Sequence, residues 1–289
     1  MHRMQPSDQL LLRVLLPAII LVSGCIKEVP PVTYLVLEQP KFDLRFAETT
    51  TDQELTEYHL YGDQGFLGAF RIPAVAPIGS PNVEKSITLF PGVRENGLQL
   101  YPALYPMLEP WIIEPAAIPA DSQTIQPVFR YKDRVKYRWL EPFNESLSLD
   151  LDLDQDTFTH LKIIPGIGIG GSDAATTSLT RAHPVIEVTT SVALTQLPKD
   201  GSPIWMELHY HGDVLLQIGL RGVAPGINPV INYKLALFPK AEWNKIYINF
   251  TPDVQLSDLS EYQVVFRAEL PDTLSEGSVY LDNIKLLHL

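Results

Sequence analysis

Five side chains with binding chemistry lie on two neighbouring segments in which apolar and other residues alternate. Side chains two residues apart point to the same face of an extended strand, so Trp205, Glu207 and His209 share one face of the first segment. Gln217 and Arg221 share one face of the second segment. An exposed indole stacks on the C–H face of a sugar ring, and carboxylate, amide and guanidinium groups pair with hydroxyls. These residues therefore predict a glycan-binding platform.

The connection between the two segments decides whether the five side chains meet. In a single hairpin, a two-residue turn at Gly212–Asp213 would set the polar face of one strand beside the apolar face of the other. A three-residue loop at 211–213 with a bulge instead gathers eight apolar side chains on one face and leaves the platform on the other. The alternative interpretation is a surface sheet whose Trp205 is covered by a loop. The eight apolar residues are Ile204, Met206, Leu208, Tyr210, Val214, Leu216, Ile218 and Leu220.

Two patterns raise the question of a bound metal ion. His209 and His211 have the spacing of two metal ligands on one face of a strand. However, the predicted three-residue loop takes His211 off the strand, and Leu215 and Leu216 stand where a cupin-type metal site needs Glu. The acidic run around residue 152 lacks the glycine of an EF-hand loop. A structural calcium ion held by Asp150, Asp152 or Asp282 stays open as an alternative, and no other cofactor is expected.

A glycine-rich run at 165–175 matches a phosphate-binding pattern. Gly166, Gly168 and Gly171 satisfy G-x-G-x-x-G, and the run resembles the phosphate loop of GHMP small-molecule kinases. That resemblance implies backbone N–H groups at a helix start that cradle phosphate. However, no βαβ repeat surrounds the run, and Pro184 would end a helix early. The preferred interpretation is a glycine loop that joins two sheets.

The elements that must position these residues are strands. Short alternating segments bounded by Pro, Gly, Asn and Asp recur along the chain, and no sustained helical periodicity is present, which predicts an all-β protein. Strands predicted at 185–194, 203–210, 214–220, 230–238, 243–250, 262–269 and 278–287, with those before the glycine run, suit a two-sheet jelly roll. The segments 243–250 and 277–284 resemble the last strands of jelly-roll carbohydrate-binding modules. The resemblance implies such a domain at 144–289.

A smaller β-sandwich-like domain is predicted at 34–140. Its many prolines each remove a ladder donor, so its strands must be short or lie at edges. A hairpin is expected where 57–61 and 66–71 flank a Gly-Asp-Gln-Gly turn. The domain resembles seven-strand-type sandwiches and PEGA-like modules of surface proteins. Its last strand, 130–139, carries five cations on one face, which indicates either an anion-binding ridge or a solvated edge strand.

The first residues indicate a lipid anchor. A positive front and a short apolar run lead to Leu21-Val22-Ser23-Gly24-Cys25, which resembles a bacterial lipobox. The resemblance implies a signal peptide at 1–24, acylation (including palmitate) of Cys25 and a tether at 25–33. Ile26 stands where an inner-membrane retention signal would carry Asp, and Lys27-Glu28 is similar to export signals of Bacteroidetes lipoproteins. Together they predict attachment to the outer membrane, on its periplasmic face or the cell surface.

Composition narrows the function classes. The net charge of −12 disfavours a nucleic-acid partner. The chain has one cysteine, and its acylation would leave no thiol for a disulfide or for nucleophilic catalysis. No Ser/His/Asp set or isolated carboxylate pair stands out, so no enzyme activity is expected. Non-catalytic glycan binding is the leading hypothesis, an accessory subunit of an outer-membrane protein complex is the alternative, and a kinase-like phosphate loop is the second alternative.

Overall fold

The computed structural model describes residues 32–43, 52–78, 86–98, 100, 102–113, 122–144 and 146–289. These residues form almost only β-strands, as the sequence predicts. The lipobox, Cys25 and nearly all of the tether lie outside the described residues, so the lipid anchor stays a prediction. In the part of the chain that is described, no helix is long and apolar enough to cross a membrane.

Ten strands of the described residues build the first domain. A five-stranded sheet has the order β4-β3-β6-β7, with β8 also paired to β6, and the predicted hairpin is its β3–β4 pair. The other two sheets are β5-β1-β9 and β10-β2. The strands are β1 Thr33–Leu37, β2 Lys41–Phe42, β3 Glu57–Gly62, β4 Gly65–Arg71, β5 Ala74–Ile78, β6 Ile87–Arg94, β7 Pro102–Leu104, β8 Trp111–Ile113, β9 Ser122–Ile125 and β10 Val128–Phe129.

The second domain is a sandwich of two six-stranded sheets. We call the sheet β13-β14-β22-β17-β20, with β11 on β22, the covered sheet, and the sheet β12-β15-β21-β18-β19, with β16 on β21, the open sheet. A short helix, α1 Thr251–Gln255, follows β20. The strands are β11 Lys136–Glu141, β12 Leu151–Asp152, β13 Lys162–Ile164, β14 Ala174–Thr180, β15 Val185–Thr189, β16 Leu194–Thr195, β17 Ile204–Gly212, β18 Leu216–Ala224, β19 Ile227–Leu237, β20 Lys240–Asn249, β21 Glu261–Glu269 and β22 Glu276–His288.

The core between the two sheets contains all eight apolar residues that the sequence groups together, from Ile204 to Leu220. The predicted reason is wrong, because β17 and β18 are not a hairpin. Strand β17 pairs with β20 and β22, whereas β18 pairs with β19 and β21. The chain crosses from one sheet to the other at residues 213–215, so the two apolar faces meet across the sandwich. Facing sheets and a hairpin bury the same alternating residues, and alternation alone does not distinguish them.

The segment between the domains also differs from the prediction of one strand at 130–139. The chain turns at residues 133–134, and only 136–141 form a strand, β11. The sequence predicts a first domain at 34–140, whereas β11 at the end of that range pairs with β22 of the covered sheet. Tyr131, before the turn, bridges to Leu108 and is buried in the first domain. Arg138 donates to the Thr195 carbonyl at 2.9 Å, so the five cations do not form one continuous ridge.

The first domain covers the outer face of the covered sheet. Trp205, Tyr247 and Leu287 point away from the sandwich core and pack into the hydrophobic core of the first domain. The backbone continues the contact, because Glu95 bridges to Tyr247 and the N–H of Asn96 donates to the Tyr247 carbonyl at 2.8 Å. Both faces of β17 are therefore buried.

Candidate functional site

The predicted platform on β17 is not a surface. Trp205 is 4 % exposed, and Glu207 and His209 are fully buried. The Trp205 ring packs edge-on against Tyr105 of the first domain, with ring centroids 5.5 Å apart. The prediction of an exposed indole is wrong, because a whole domain rather than a loop covers this face.

Glu207 lies at the centre of the domain contact. Its carboxylate accepts hydrogen bonds from the hydroxyls of Tyr105 and Tyr131, the latter at 2.7 Å, and pairs with Lys245 Nζ at 2.8 Å. Lys285, the cross-strand neighbour of Glu207 on β22, lies over the Tyr131 ring at 5.3 Å. Burial by itself would raise the pKa of Glu207, but the two ammonium groups and the hydrogen bonds outweigh it and lower the pKa to about 2. Glu207, which the sequence predicts to contact a ligand, thus binds the first domain.

His209 makes a second polar contact in the same interface. Its Nε2 lies 2.9 Å from Asp52 Oδ2, and the backbone carbonyl of Asp52 accepts from Lys245 Nζ at 3.0 Å. Burial lowers the pKa of His209, and the hydrogen bond to Asp52 opposes that shift only in part. His211 does not join it in a metal site, because its ring stacks on Tyr280 with centroids 4.1 Å apart.

Gln217 and Arg221 lie on the other side of the sandwich, on the outer face of the open sheet. The crossing between β17 and β18 separates them from Trp205, Glu207 and His209, so the five predicted residues do not form one site. Both side chains are half-exposed. They belong to a set of polar side chains that we call the open-sheet face, which consists of Glu187, Gln217, Arg221, Tyr233, Arg267 and Gln263, the last of them buried.

Hydrogen bonds between neighbouring strands hold this face in a fixed arrangement. Arg267 lies opposite Gln217 and donates to its Oε1 at 2.9 Å. Arg221 lies opposite Gln263 and donates to its Oε1, while Gln263 Nε2 donates to the Thr190 carbonyl at 2.6 Å. A guanidinium carries five N–H donors. Both arginines are therefore oriented by their neighbours while further donors remain available to a ligand.

Tyr233 extends across the open-sheet face. Its hydroxyl, on β19, donates to Glu187 Oε1 on β15 at 2.6 Å. Strands β18 and β21 lie between them, so in a flat sheet the two strands would be about 14 Å apart. The Tyr233 and Glu187 side chains together therefore bridge the two strands that lie between them. Burial, and then the bond to Glu187, raises the pKa of Tyr233, so its hydroxyl stays protonated near neutral pH.

Sequence reasoning missed Tyr233, Glu187, Gln263 and Arg267. The signal on β21 was weak, because the apolar Val265 stands between Gln263 and Arg267 on the same face, opposite the core residues Val264 and Phe266. This pattern indicated only a partly polar outward face. It did not indicate that this face would lie beside Gln217 and Arg221, because strand order is a property of the tertiary structure.

The calcium candidates do not come together. Asp150 and Asp152 lie at the edge of the open sheet, whereas Asp282 is buried in the covered sheet. Asp152 Oδ1 accepts the backbone N–H of Gln155 at 2.8 Å. Within the described residues, no group of three or more His, Cys, Asp or Glu side chains is arranged to hold a metal ion.

The glycine run encloses the Asp282 carboxylate rather than a phosphate. It connects β13 to β14 within one sheet, so the expectation that it joins two sheets is wrong. Asp282 Oδ2 accepts the Ile169 N–H at 2.8 Å and the Ser172 hydroxyl at 2.7 Å. A Cβ at Gly168 would lie 2.5 Å from the same oxygen, which explains the glycine there. A strand and not a helix follows the loop, so the kinase-like phosphate cradle is not formed.

Comparisons with known proteins find similarity of structure but not of sequence. No protein-family model and no curated protein matches the chain. Among solved structures, the CBM22-2 xylan-binding domain of Paenibacillus barcinonensis Xyn10C has a TM-score of 0.40 and 14 % identity, over 53 % of this chain and 99 % of that domain. The family 30 carbohydrate-binding module of the Clostridium thermocellum cellulase Cel9D-Cel44B has a TM-score of 0.39 and 12 % identity, over 50 % of this chain and 93 % of that module. The solved structures similar to this chain include several such jelly-roll carbohydrate-binding modules.

Proposed function

We propose that the protein is a non-catalytic glycan-binding protein and that the open-sheet face binds the glycan. The observation that carries the proposal is Tyr233, an aromatic side chain fixed across the polar open-sheet face by its bond to Glu187. A sugar ring presents C–H groups on its faces and hydroxyls around its edge, so it needs an aromatic surface flanked by donors and acceptors. The open-sheet face offers both.

The remaining groups of the face suit hydroxyl recognition. Arg221 and Arg267 supply donors in fixed orientations, and Glu187 and the two glutamines supply acceptors. Since these side chains already bond to one another, little side-chain entropy is lost when a ligand binds. The sandwich thus acts as a scaffold, and the specificity comes from six side chains on one sheet.

The location of the protein is part of the proposal. Acylation of Cys25 would hold the chain on an outer membrane, with the glycan-binding domain in the periplasm or outside the cell. The support is the lipobox-like segment at 21–25, which precedes the first domain by few residues. A Cys25→Ala variant is expected to leave the membrane fraction; recovery of that variant in the outer membrane in unchanged amount would contradict the anchor.

A glycan array followed by titration of a bound glycan tests the function. Arg221→Ala is expected to weaken binding by about tenfold, because it removes an oriented charged donor. Arg181→Ala is the matched control, since Arg181 is a half-exposed arginine that bonds to Asp272 away from this face. A silent array, together with a stoichiometric protein partner recovered from solubilised membranes, would replace the proposal with the accessory-subunit alternative.

A further inference from the structure

A cavity lies between the two domains, separate from the open-sheet face. This interdomain cleft has a volume of about 400 Å³, within the range of small-molecule sites. The first domain lines it with residues from two segments, at 54–56 and 94–98, and the second domain lines it with Tyr210, the end of β19 and the start of β20. An adjoining cavity of about 540 Å³ shares Glu54, Thr56 and Arg94 with it. The cleft exists only because the domains are docked.

The walls of the cleft combine an apolar floor with an aromatic rim. Leu237 and Ile246 are buried and form part of the floor. Leu98 and Phe238, at 51 % and 73 % exposed, are large apolar side chains left open to solvent among the lining residues. Tyr210 donates to the Phe238 carbonyl at 3.4 Å, which ties this segment to β17. A phenyl ring exposed beside a polar cavity offers a surface for stacking.

Two of the three cations that line the cleft already pair with a carboxylate behind its wall. Arg94 pairs with Glu57 at 3.2 Å, and Lys245 pairs with Glu207 at 2.8 Å. The other charged lining residues are Glu54 and Lys240, which have opposite signs. Glu54 is exposed at the mouth of the cleft, and partial desolvation of its carboxylate by the surrounding protein raises its pKa. A charged ligand would add a charge that these groups do not offset, so the cleft favours a ligand without net charge.

Two asparagines add neutral hydrogen-bonding capacity. Asn96 Oδ1 accepts the backbone N–H of Asn249 at 3.0 Å, which leaves its Nδ2 as a donor. Asn244 Nδ2 donates to the Lys245 carbonyl at 3.1 Å, which leaves its Oδ1 as an acceptor. With Glu54 and Lys240, the cleft therefore presents both donors and acceptors near an exposed ring. Hydroxyl-rich ligands match that distribution because each hydroxyl both donates and accepts.

We propose that the interdomain cleft binds an uncharged saccharide of one or two sugar units, which stacks on Phe238 and bonds to Glu54, Lys240, Asn96 and Asn244. The site is independent of the open-sheet face, since it uses different residues on another surface of the sandwich. It belongs to the two-domain protein, because neither domain alone supplies both walls. The first domain thus has a binding role besides covering the sheet.

Titration of the full chain with cellobiose, xylobiose, maltose and lactose at millimolar concentration, followed by NMR, tests the proposal. Saturable binding of at least one of them is expected, and Phe238→Ala and Glu54→Gln should each weaken it by about tenfold. Phe158→Ala, which alters another exposed phenylalanine, is the matched control and should bind as the wild type does. Equal thermal unfolding midpoints of the variants would confirm that their fold is intact.

The open-sheet variant Arg221→Ala separates this proposal from the glycan site on the other face. It should leave disaccharide binding in the cleft unchanged, whether or not the open-sheet face binds glycan. The proposal is overturned if none of the four disaccharides saturates the protein. It is equally overturned if Phe238→Ala and Glu54→Gln bind the disaccharide as tightly as the wild type, or if Arg221→Ala abolishes that binding.

Discussion

The two outer faces of the sandwich carry similar polar side chains in opposite surroundings. Glu207 on the covered sheet and Arg221 on the open sheet both alternate with core residues, and both were predicted to contact a ligand. The first is buried beneath Tyr105 and Tyr131, whereas the second is half-exposed beside Gln263. A polar strand face therefore identifies a binding surface but not its occupant, which for the covered sheet is the first domain of the same chain.

The energetic difference between the faces lies in solvation. A buried carboxylate loses the solvation by water and is stable only where cations and donors replace it, as Lys245, Lys285 and the two tyrosines do around Glu207. On the open-sheet face, water still solvates the charged groups, so each bond between them contributes little to stability. Substitutions should thus affect folding on one face and binding on the other.

The largest expected effect follows from removal of the Glu207 carboxylate. Glu207→Ala leaves two ammonium groups and two hydroxyls buried without their partner, and we expect it to lower the free energy of unfolding by about 3–5 kcal/mol. Urea denaturation measures this. Gln217→Ala on the open sheet is the control and should stay within about 0.5 kcal/mol of the wild type. Equal effects of the two substitutions would remove the distinction between the faces.

Trp205→Ala should also lower the free energy of unfolding, and it should leave glycan affinity unchanged. The indole fills part of the first domain's core, and loss of a buried aromatic side chain costs about 3–5 kcal/mol. Urea denaturation and glycan titration, carried out on the same variant, test both statements. A stable Trp205→Ala variant that no longer binds glycan would show instead that the indole is a ligand platform.

The pH dependence of unfolding should report Glu207. Its pKa is about 2 in the folded protein, below the ordinary value of 4.5, so its contribution to stability is fully present above 4.5. That contribution is lost as the pH falls through about 2, because protonation then removes the charge that the lysines stabilise. Denaturation curves between pH 7 and pH 2 measure this loss. A Glu207→Gln variant should show a shallower loss over the same range; an identical slope would contradict the assignment.

The smallest effect is expected from Tyr233→Ala on the open sheet. It should weaken glycan binding by about 1–3 kcal/mol, because one stacking surface is lost. Unfolding should change little, since the side chain is half-exposed. Calorimetric titration measures the affinity, and Tyr34→Ala, which alters an exposed tyrosine of the first domain, serves as the control. If the two variants bind equally well, Tyr233 is not part of the site.

Local sequence determined the strands and their inward faces. The segments predicted from alternation at 203–210, 230–238, 243–250, 262–269 and 278–287 correspond to β17, β19, β20, β21 and β22. Residues 147–154 also alternate Leu with Ser or Asp, as a strand with one buried face would, but only the two residues of β12 form a strand there. Alternating apolar residues show that a strand has one apolar face, and that face must be buried. The strand and its inward face can therefore be predicted from adjacent residues alone.

The tertiary structure alone decided which strands are neighbours and what covers their outer faces. The same eight apolar residues satisfy a hairpin and a pair of facing sheets, so the sequence grouped them correctly while it misplaced Gln217 and Arg221 relative to Trp205. The sequence also did not determine which polar side chains are exposed. Glu207 alternates with core residues as a surface residue would, and it is buried because the fold brings Lys285 and Tyr131 to it from 78 and 76 residues away. Alternation is a property of adjacent residues, whereas strand order and domain docking arise from contacts between distant ones, and this physical difference separates what could be predicted from what could not.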